Sequence, residues 1–489
     1  MSDSKRSFRV IVVGGGVVGL TASHCLQKAG IDHVVLEKRA VVAPPEGASI
    51  ALYAHGSRIL HQLGCLEAVE KACVPGRNWL TRGPDGKKYM DNGYFQHLQD
   101  NHGSSLLVLE RREFLQILYD QLPDKTYIKT SSGVKDVKTV AGGVVVTLLN
   151  GDIERGDMVV GCDGVYSLVR SFMWDEANRA VPGLITVKEK TTIKTRWKSL
   201  IGVAPNIPEL GDLDVTVVNN TGRSLLALSQ PDRAYFFFIF RVDEPFTWPK
   251  RANYTEKDAE DLAQQFADQP VSDTLVFGEL WKRRIRGALV PLEEGVLSHW
   301  HHGRIVLAGD SAHKVTPNIA LGGNSGIESV VVLCNHLQRM LQDGGVAKPT
   351  DAALDAVFAA YQSERLKRMQ NILAVSSLIT KVQAWDTPWH RFMSIWVLPL
   401  QADRTTADQM GEIIRKGPKL EYVDLKGFPK GRIPFDDEKA GERERGLKGV
   451  GIAASKPISS VLLLLRSLGA LLAFLLVWHG TRLAFAANV

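Results

Sequence analysis

The stretch "FRVIVVGGGVVGL", residues 8–20, constrains this chain more than any other. Its first six residues read as a buried strand, the glycines as a tight turn, and the residues from Val17 to about Ala29 as a helix. A second strand, "HVVLE", ends at Glu37, eighteen residues after Gly19. Strand, glycine turn, helix and strand in this order form a βαβ unit, whose parallel strands need helices packed on the sheet. Gly14, Gly16 and Gly19 make up GxGxxG. Gly14 permits the turn, Gly16 lets a diphosphate approach the backbone, and Gly19 lets helix and strand pack closely. The helix N-terminus adds partial positive charge at the same place. Glu37 can accept both hydroxyls of an adenosine ribose and would repel a 2′-phosphate, so FAD or NAD is expected here rather than NADP.

A chain of 489 residues with 45% hydrophobic content can bury a large core in two or three structural units. The net charge of +6 comes from basic residues interleaved with acids, which leaves no nucleic-acid footprint. Five cysteines without CxxC spacing argue against a disulfide framework and against a zinc site, and read as reduced core thiols. His299, His301 and His302 lack ligand spacing and read as surface residues, so no metal is expected. Ser49, Ser311 and His313 come without a nucleophile elbow, which disfavours hydrolase chemistry. The N-terminal apolar run is too short for a signal peptide, and a cytosolic catalytic domain is expected.

Residues 143–160 alternate like antiparallel strands joined at Asn150-Gly151. From about 185 to 290 the pattern is strand-rich. "YFFFIF" places Tyr235, Phe237 and Ile239 on one face and Phe236, Phe238 and Phe240 on the other, so that strand is either buried on both sides or covers a pocket on one. "GRIVLAGD" (303–310) returns to a short buried strand, and 324–341 reads as a helix, with helical material continuing to about 415. The expected organisation is a first FAD-binding part (1–180), a β-rich substrate domain (181–290), a returning FAD-binding segment (291–345), a helical region (346–415), a charged linker (416–457) and an apolar segment (458–478). The fold class is therefore α/β, a Rossmann-type FAD-binding domain interleaved with a β-rich substrate domain, followed by a C-terminal helical region and a membrane helix.

Two later stretches favour FAD over NAD. "GCDGVYSLVR" (161–170) follows a strand, and "GRIVLAGDSAHKVTPNIALGGNSGIE" (303–328) puts Asp310 at a strand end and glycines before a helix. Asp310 could bind a ribityl hydroxyl, which only FAD has, or serve as a cap or turn residue. A turn at Gly322-Gly323 would aim the following helix N-terminus at the flavin pyrimidine edge, where reduced flavin carries negative charge.

Together, "GGGVVG…LEK", "GCDG…R" and "GRIVLAGDSAHK…P" resemble the class A FAD-dependent monooxygenases, the para-hydroxybenzoate hydroxylase-like group. More narrowly, "AGIDHVVLEKRAVVAPPEGASIALYAHGSRILHQLG" with the apolar tail is similar to the fungal secondary-metabolite monooxygenases that epoxidise the prenyl chain of meroterpenoids and indole diterpenes. That resemblance implies tightly bound FAD, NADPH or NADH as transient reductant, O2 and a prenylated small-molecule substrate, with oxygen delivered through a flavin C4a-hydroperoxide. It matches Glu37 to the ribose acid, Ala51 to a backbone contact, Arg111 to a motif arginine, Asp163 to the flavin site and NADPH, and Asp310 and Gly323 to the ribityl and isoalloxazine contacts. No catalytic side chain is assigned, because the cofactor carries the chemistry. Two departures bear on the substrate. Ala320-Leu321-Gly322-Gly323 stands where G-x-G-G is expected, and Arg196-Trp197 where relatives often have a Glu-Tyr pair. Alternatives are an aromatic-ring hydroxylase of the salicylate hydroxylase-like type, a Baeyer–Villiger enzyme and a non-catalytic FAD-fold prenyl-binding protein.

Ile458 to Trp478 supplies 21 residues, enough for a helix to cross about 30 Å of hydrocarbon. Arg466 opposes this by about 2.5–3.5 kcal/mol, and the nine leucines outweigh it. The segment is read as a spanning or re-entrant anchor, an interfacial helix or a buried core helix. The expected location is membrane-anchored, at the endoplasmic reticulum, with the catalytic domain in the cytosol.

Overall fold

The first strand, Arg9–Val13, lies at the centre of a six-stranded sheet because its β-branched side chains are buried on both faces. The order across that sheet is His301–His302, Ile305–Leu307, Met158–Gly161, Arg9–Val13, Asp32–Leu36, Ile128–Lys129, parallel except at the His301 edge. The computed structural model describes residues 8–344 and 348–438. The helix after the glycine turn runs Val17–Lys28, and the strands around Asn150-Gly151 pair antiparallel as Gly143–Leu148 and Ile153–Gly156.

The substrate sheet has eight strands, ordered His313–Lys314, Arg286–Val296, Lys194–Pro205, Arg233–Thr247, Arg223–Ser229, Val215–Asn220, Trp79–Arg82 and Lys88–Asn92. Its last two strands come from within the first FAD-binding part of the chain, Trp79–Arg82 pairing parallel with Val215–Asn220. The aromatic strand is buried on both faces. Phe236, Phe238 and Phe240 pack with Phe277 and Trp281 beneath the helices Glu256–Gln265 and Phe277–Lys282, whereas Phe237 and Ile239 pack with Trp197, Leu292 and Ala384.

Two long helices, Leu321–Gly344 and Asp351–Gln383, are joined by a buried charge cluster. Arg365 donates to Glu328 at 2.6 Å, and Arg368 donates to both oxygens of the same carboxylate at 2.9 and 2.5 Å. Arg368 also donates to the carbonyl of Ile413, which ties in the helix Asp403–Ile414. His55 Nε2 lies 3.6 Å from Glu328, but burial pushes the imidazole down to about 3, so it is neutral and no ion pair forms there.

Two expectations change. Residues from 416 were expected to form a charged linker; those from 417 to 434 instead dock on the FAD-binding part. Gln62 donates to the carbonyls of Leu420 and Val423, the Tyr422 hydroxyl donates to the carbonyl of Cys25, and Arg432 donates to Asn101. The membrane helix and the membrane-anchored location are also corrected. Among the described residues no helix is long and apolar enough to cross a membrane. The 33-residue helix Asp351–Gln383 has the length, but Glu364, Arg365, Lys367 and Arg368 sit at its middle. The segment 458–478 lies outside the described residues.

Replacing Glu328 by Gln should leave two buried guanidiniums without their carboxylate and cost about 3–5 kcal/mol in urea unfolding. The guanidiniums hold the Glu328 carboxyl far below its usual value of 4.5, so its stabilisation is present above that pH and lost as pH falls below it. His55 acts in the same direction, since its unfolded form takes up a proton near 6.5 and the folded form only near 3. Wild type should therefore lose stability steadily below pH 6.5, and the Gln variant should show a shallower slope below pH 4.5.

Candidate cofactor and active site

The glycine turn is built by close approach. Gly14 has φ +103°, donates to the carbonyl of Leu36 at 2.9 Å, and would place a Cβ 2.6 Å from the carbonyl oxygen of Cys162. A Cβ on Gly19 would lie 1.8 Å from the carbonyl oxygen of Gly14, so only glycine lets the helix pack on its own turn. Nothing lies within 4 Å of the position a Cβ would take on Gly16, the N-cap of that helix, which no side chain caps. Open space in front of uncapped N–H groups is what a diphosphate requires. Glu37 is set beside it. One of its carboxylate oxygens accepts from Gly15 N–H at 2.7 Å and the other from Arg39 N–H at 2.9 Å. Arg39, which the sequence reading did not single out, also pairs with Glu46 at 2.5 Å.

Arg111 and Asp310 belong to the same electrostatic neighbourhood. Burial pulls the Arg111 guanidinium down, and Asp310 is the strongest group holding it up, with Glu46 and Glu37 adding to it. Asp310, in the short turn Gly309–Ser311, pairs with Lys314, whose charge Asp310 and Glu293 together favour. The structure thus brings Gly14, Gly16, Glu37, Arg111 and Asp310 to one side of the parallel sheet.

Asp163 has a local role. It accepts from the Ser167 hydroxyl at 2.5 Å and from the N–H groups of Leu168 and Val169 at 2.7 and 3.1 Å, which caps the helix Leu168–Ala180. Burial pushes its carboxyl up while those bonds oppose the shift. Arg170, pushed down to about 10 by burial, donates to the carbonyls of Val165 and Ser311 and so links this turn to the Asp310 turn.

The expected glycine turn at Gly322-Gly323 is absent, and both residues lie in the first turn of the helix that starts at Leu321. Ala320 takes the left-handed conformation instead, with φ +52°. The absence of a side chain on Gly323 matters for packing, since a Cβ there would lie 2.7 Å from Ile50 on the strand Ser49–Leu52. Ala51 is on the same strand, and its carbonyl accepts from Asn324 Nδ2, which also donates to the carbonyl of Ala320.

A chain of buried hydrogen bonds holds the other side of this turn. Ser376 donates to the Thr316 carbonyl, the Thr316 hydroxyl contacts Thr380 at 2.7 Å, Thr380 donates to Asn318 Oδ1, and Asn318 Nδ2 donates to Gln383. The sequence reading missed these residues, although Ser376, Thr380 and Gln383 recur at i, i+4 and i+7 along one helix face.

A dinucleotide cradle on a parallel sheet, in one chain with a mixed, largely antiparallel second sheet, is the architecture of a flavoprotein. The residues present fit FAD, with open space before the helix N-terminus, an oriented acid for the ribose, and Asp310 on the same side. Residues 7–376 match the FAD binding domain family. An FAD-dependent monooxygenase of Alternaria brassicicola, DEP2, is 40% identical over 91% of this chain and 84% of its own length. Another, olcE of Penicillium canescens, is 35% identical over 86% and 90% respectively. In fold, the chain is similar to Klebsiella pneumoniae HpxO complexed with FAD and uric acid, with a TM-score of 0.68 at 19% identity over 84% of this chain and 97% of that one. The chain belongs to the FAD binding domain family, among the fungal class A flavin monooxygenases, and is an FAD-dependent monooxygenase.

Gly19→Ala should yield protein without flavin, read as the ratio of 450 nm to 280 nm absorbance falling to near zero. Glu37→Gln removes the charge and should weaken FAD binding about tenfold. Fluorescence quenching during reconstitution of apoprotein checks this, and an unchanged Kd would remove Glu37 from the cofactor site.

Proposed function

We propose that this monooxygenase epoxidises a double bond in the prenyl chain of a meroterpenoid or indole-diterpene intermediate of secondary metabolism, with NADPH or NADH as reductant. In this reading Gly14, Gly16 and Gly19 form the diphosphate cradle, Glu37 takes the adenosine ribose and Asp310 the ribityl chain. Arg111, Asp163, Ala51 and Gly323 complete the flavin site.

The observation that carries the proposal is an apolar patch at one end of the face of the substrate sheet that lies against the long helix. Trp197, Ile239 and Leu292, flanked by Phe237 and Val290, pack there against Ala384, and the nearest buried charge on that face, Glu294, is paired with Arg196. Ala384 directly follows Gln383, which is bonded to the Asn318 turn, so this face adjoins the turn before the Leu321 helix. A hydrocarbon chain suits such a surface. Ring hydroxylation of a phenol would benefit from a base to deprotonate the substrate, and oxygen transfer to an alkene needs none. FAD supplies the acceptance of hydride and the transfer of one oxygen atom from O2. The protein orients the substrate and excludes water from it.

Support for a pyridine nucleotide comes from a pocket beside the Asp163 turn, where cations outnumber the single carboxylate of Glu293. Lys190, Lys250 and Arg251 line it with Trp174 and Trp248, and Lys190 lies 5.4 Å from the Trp248 ring centre. Cations beside flat rings suit phosphates and bases.

Purified enzyme incubated with NADPH, 18O2 and a panel of farnesylated and geranylgeranylated aromatic and indole compounds tests the reading. One labelled oxygen on the prenyl chain, opening to a diol in acid, is the expected result. Label on the aromatic ring would replace the epoxidase by a hydroxylase.

A further inference from the structure

The two faces of the substrate sheet differ in chemistry. Strand register places Leu200, Val218, Leu225 and Phe238 on the helix-covered face, which is uniformly apolar at these positions. The opposite face carries Asn219 and Ser224, which are register partners, with Thr81 beside Val217 toward one edge of the sheet and Trp197 two strands from Ser224 on the other side. All four are buried, at 5, 3, 2 and 1% exposure. Yet Thr81 Oγ1, Asn219 Oδ1, Ser224 Oγ and Trp197 Nε1 have no hydrogen-bond partner. Most buried polar atoms in folded proteins are paired, because burying them unpaired is costly. Asn219 Oδ1 and Ser224 Oγ on register partners, with Trp197 Nε1 two strands away on the same face, point to a partner that arrives from outside the protein.

The place is informative. Ala384 packs on this face against Trp197, and Ser394 accepts from Asn219 Nδ2, so the segment after the long helix covers it. That helix also holds the Asn318 turn through Gln383. Trp385, beside Ala384, has φ +41°, an uncommon conformation for a residue of this size, and its buried indole N–H is unpartnered too.

We propose that this polar row binds the head of the substrate, and that the head is a neutral group bearing both a hydroxyl and a carbonyl-type oxygen. An indole N–H can only donate, so Trp197 calls for an acceptor oxygen. Asn219 Oδ1 can only accept, so it calls for a ligand hydroxyl, while Thr81 and Ser224 can serve either. None of these side chains is charged, and a carboxylate head would be buried there without a counter-ion. The inference rests on the epoxidase reading for the rest of the substrate, which lies against the neighbouring apolar cluster.

Holoenzyme is titrated with four probes: the farnesyl ether of methyl 2,4-dihydroxybenzoate, which keeps one free hydroxyl, its O-methylated form, its free carboxylic acid, and farnesene. Kd is read from the perturbation of the flavin absorption spectrum. The first probe should bind most tightly. Trp197→Phe and Ser224→Ala should each weaken it about fivefold with flavin content unchanged, and Ser224→Ala should also leave the melting temperature unchanged, whereas Trp197→Phe lowers it by opening a cavity in the buried cluster. Ser224→Ala should leave the O-methylated probe unaffected. Equal affinities in both variants for every probe would mean that the row holds ordered water only, and tighter binding of the acid would also overturn the proposal. Farnesene binding as well as the headed probe would overturn the row while leaving the prenyl reading intact. Methyl 2,4-dihydroxybenzoate binding as tightly as its farnesyl ether, with the same sensitivity to both variants, would uphold the row and overturn the prenyl reading. Silence from every neutral probe overturns both.

Discussion

The Glu328 carboxylate, gripped by Arg365 and Arg368, fixes the helix Leu321–Gly344 against the helix Asp351–Gln383, and both sides of the active site follow from that junction. The first helix packs its N-terminal turn on the strand Ser49–Leu52, through Gly323 against Ile50 and Asn324 on the Ala51 carbonyl. The second carries, in consecutive residues, the tie to the Asn318 turn and the contact with the substrate sheet. A buried ion pair is seldom a net gain over apolar packing. What it supplies here is a set of directed contacts: three hydrogen bonds from two guanidiniums to one carboxylate fix the spacing of the helices at these residues.

What could be read from the sequence follows from how local its physics is. The βαβ unit was legible because three steric requirements fall at Gly14, Gly16 and Gly19, within six residues, with Glu37 at a fixed distance. The aromatic strand was legible as an alternation, although only its partners show that both faces are covered. The strands Trp79–Arg82 and Lys88–Asn92 could not be placed, since nothing in their own residues says that they pair with a strand about 130 positions later. The docked segment from 417 to 434 could not be placed because its anchors are long-range: Gln62 holds the carbonyls of Leu420 and Val423, and Tyr422 and Arg432 reach partners more than 300 positions earlier.

The turn before the Leu321 helix was misplaced for a different reason. Two adjacent glycines look like the point where a chain reverses, but here alanine accepts the left-handed conformation and Gly323 is used for its lack of bulk against Ile50. Asn324 and the Thr316 network over-determine the turn from both sides, which is how an unfavourable backbone conformation persists. Neither Asn324 nor the Thr316 network belongs to the glycine motif.

The Thr316 network also has a direction. Each of its hydroxyls has a single proton, and the Thr316 carbonyl at one end and Gln383 Oε1 at the other can only accept. The hydroxyls of Ser376, Thr316 and Thr380 therefore spend their single protons inside the network, while Asn318 Nδ2 gives one of its two protons to Gln383. Those three hydroxyls can set the distance between the turn and the long helix, but they have no proton left to donate outside the network.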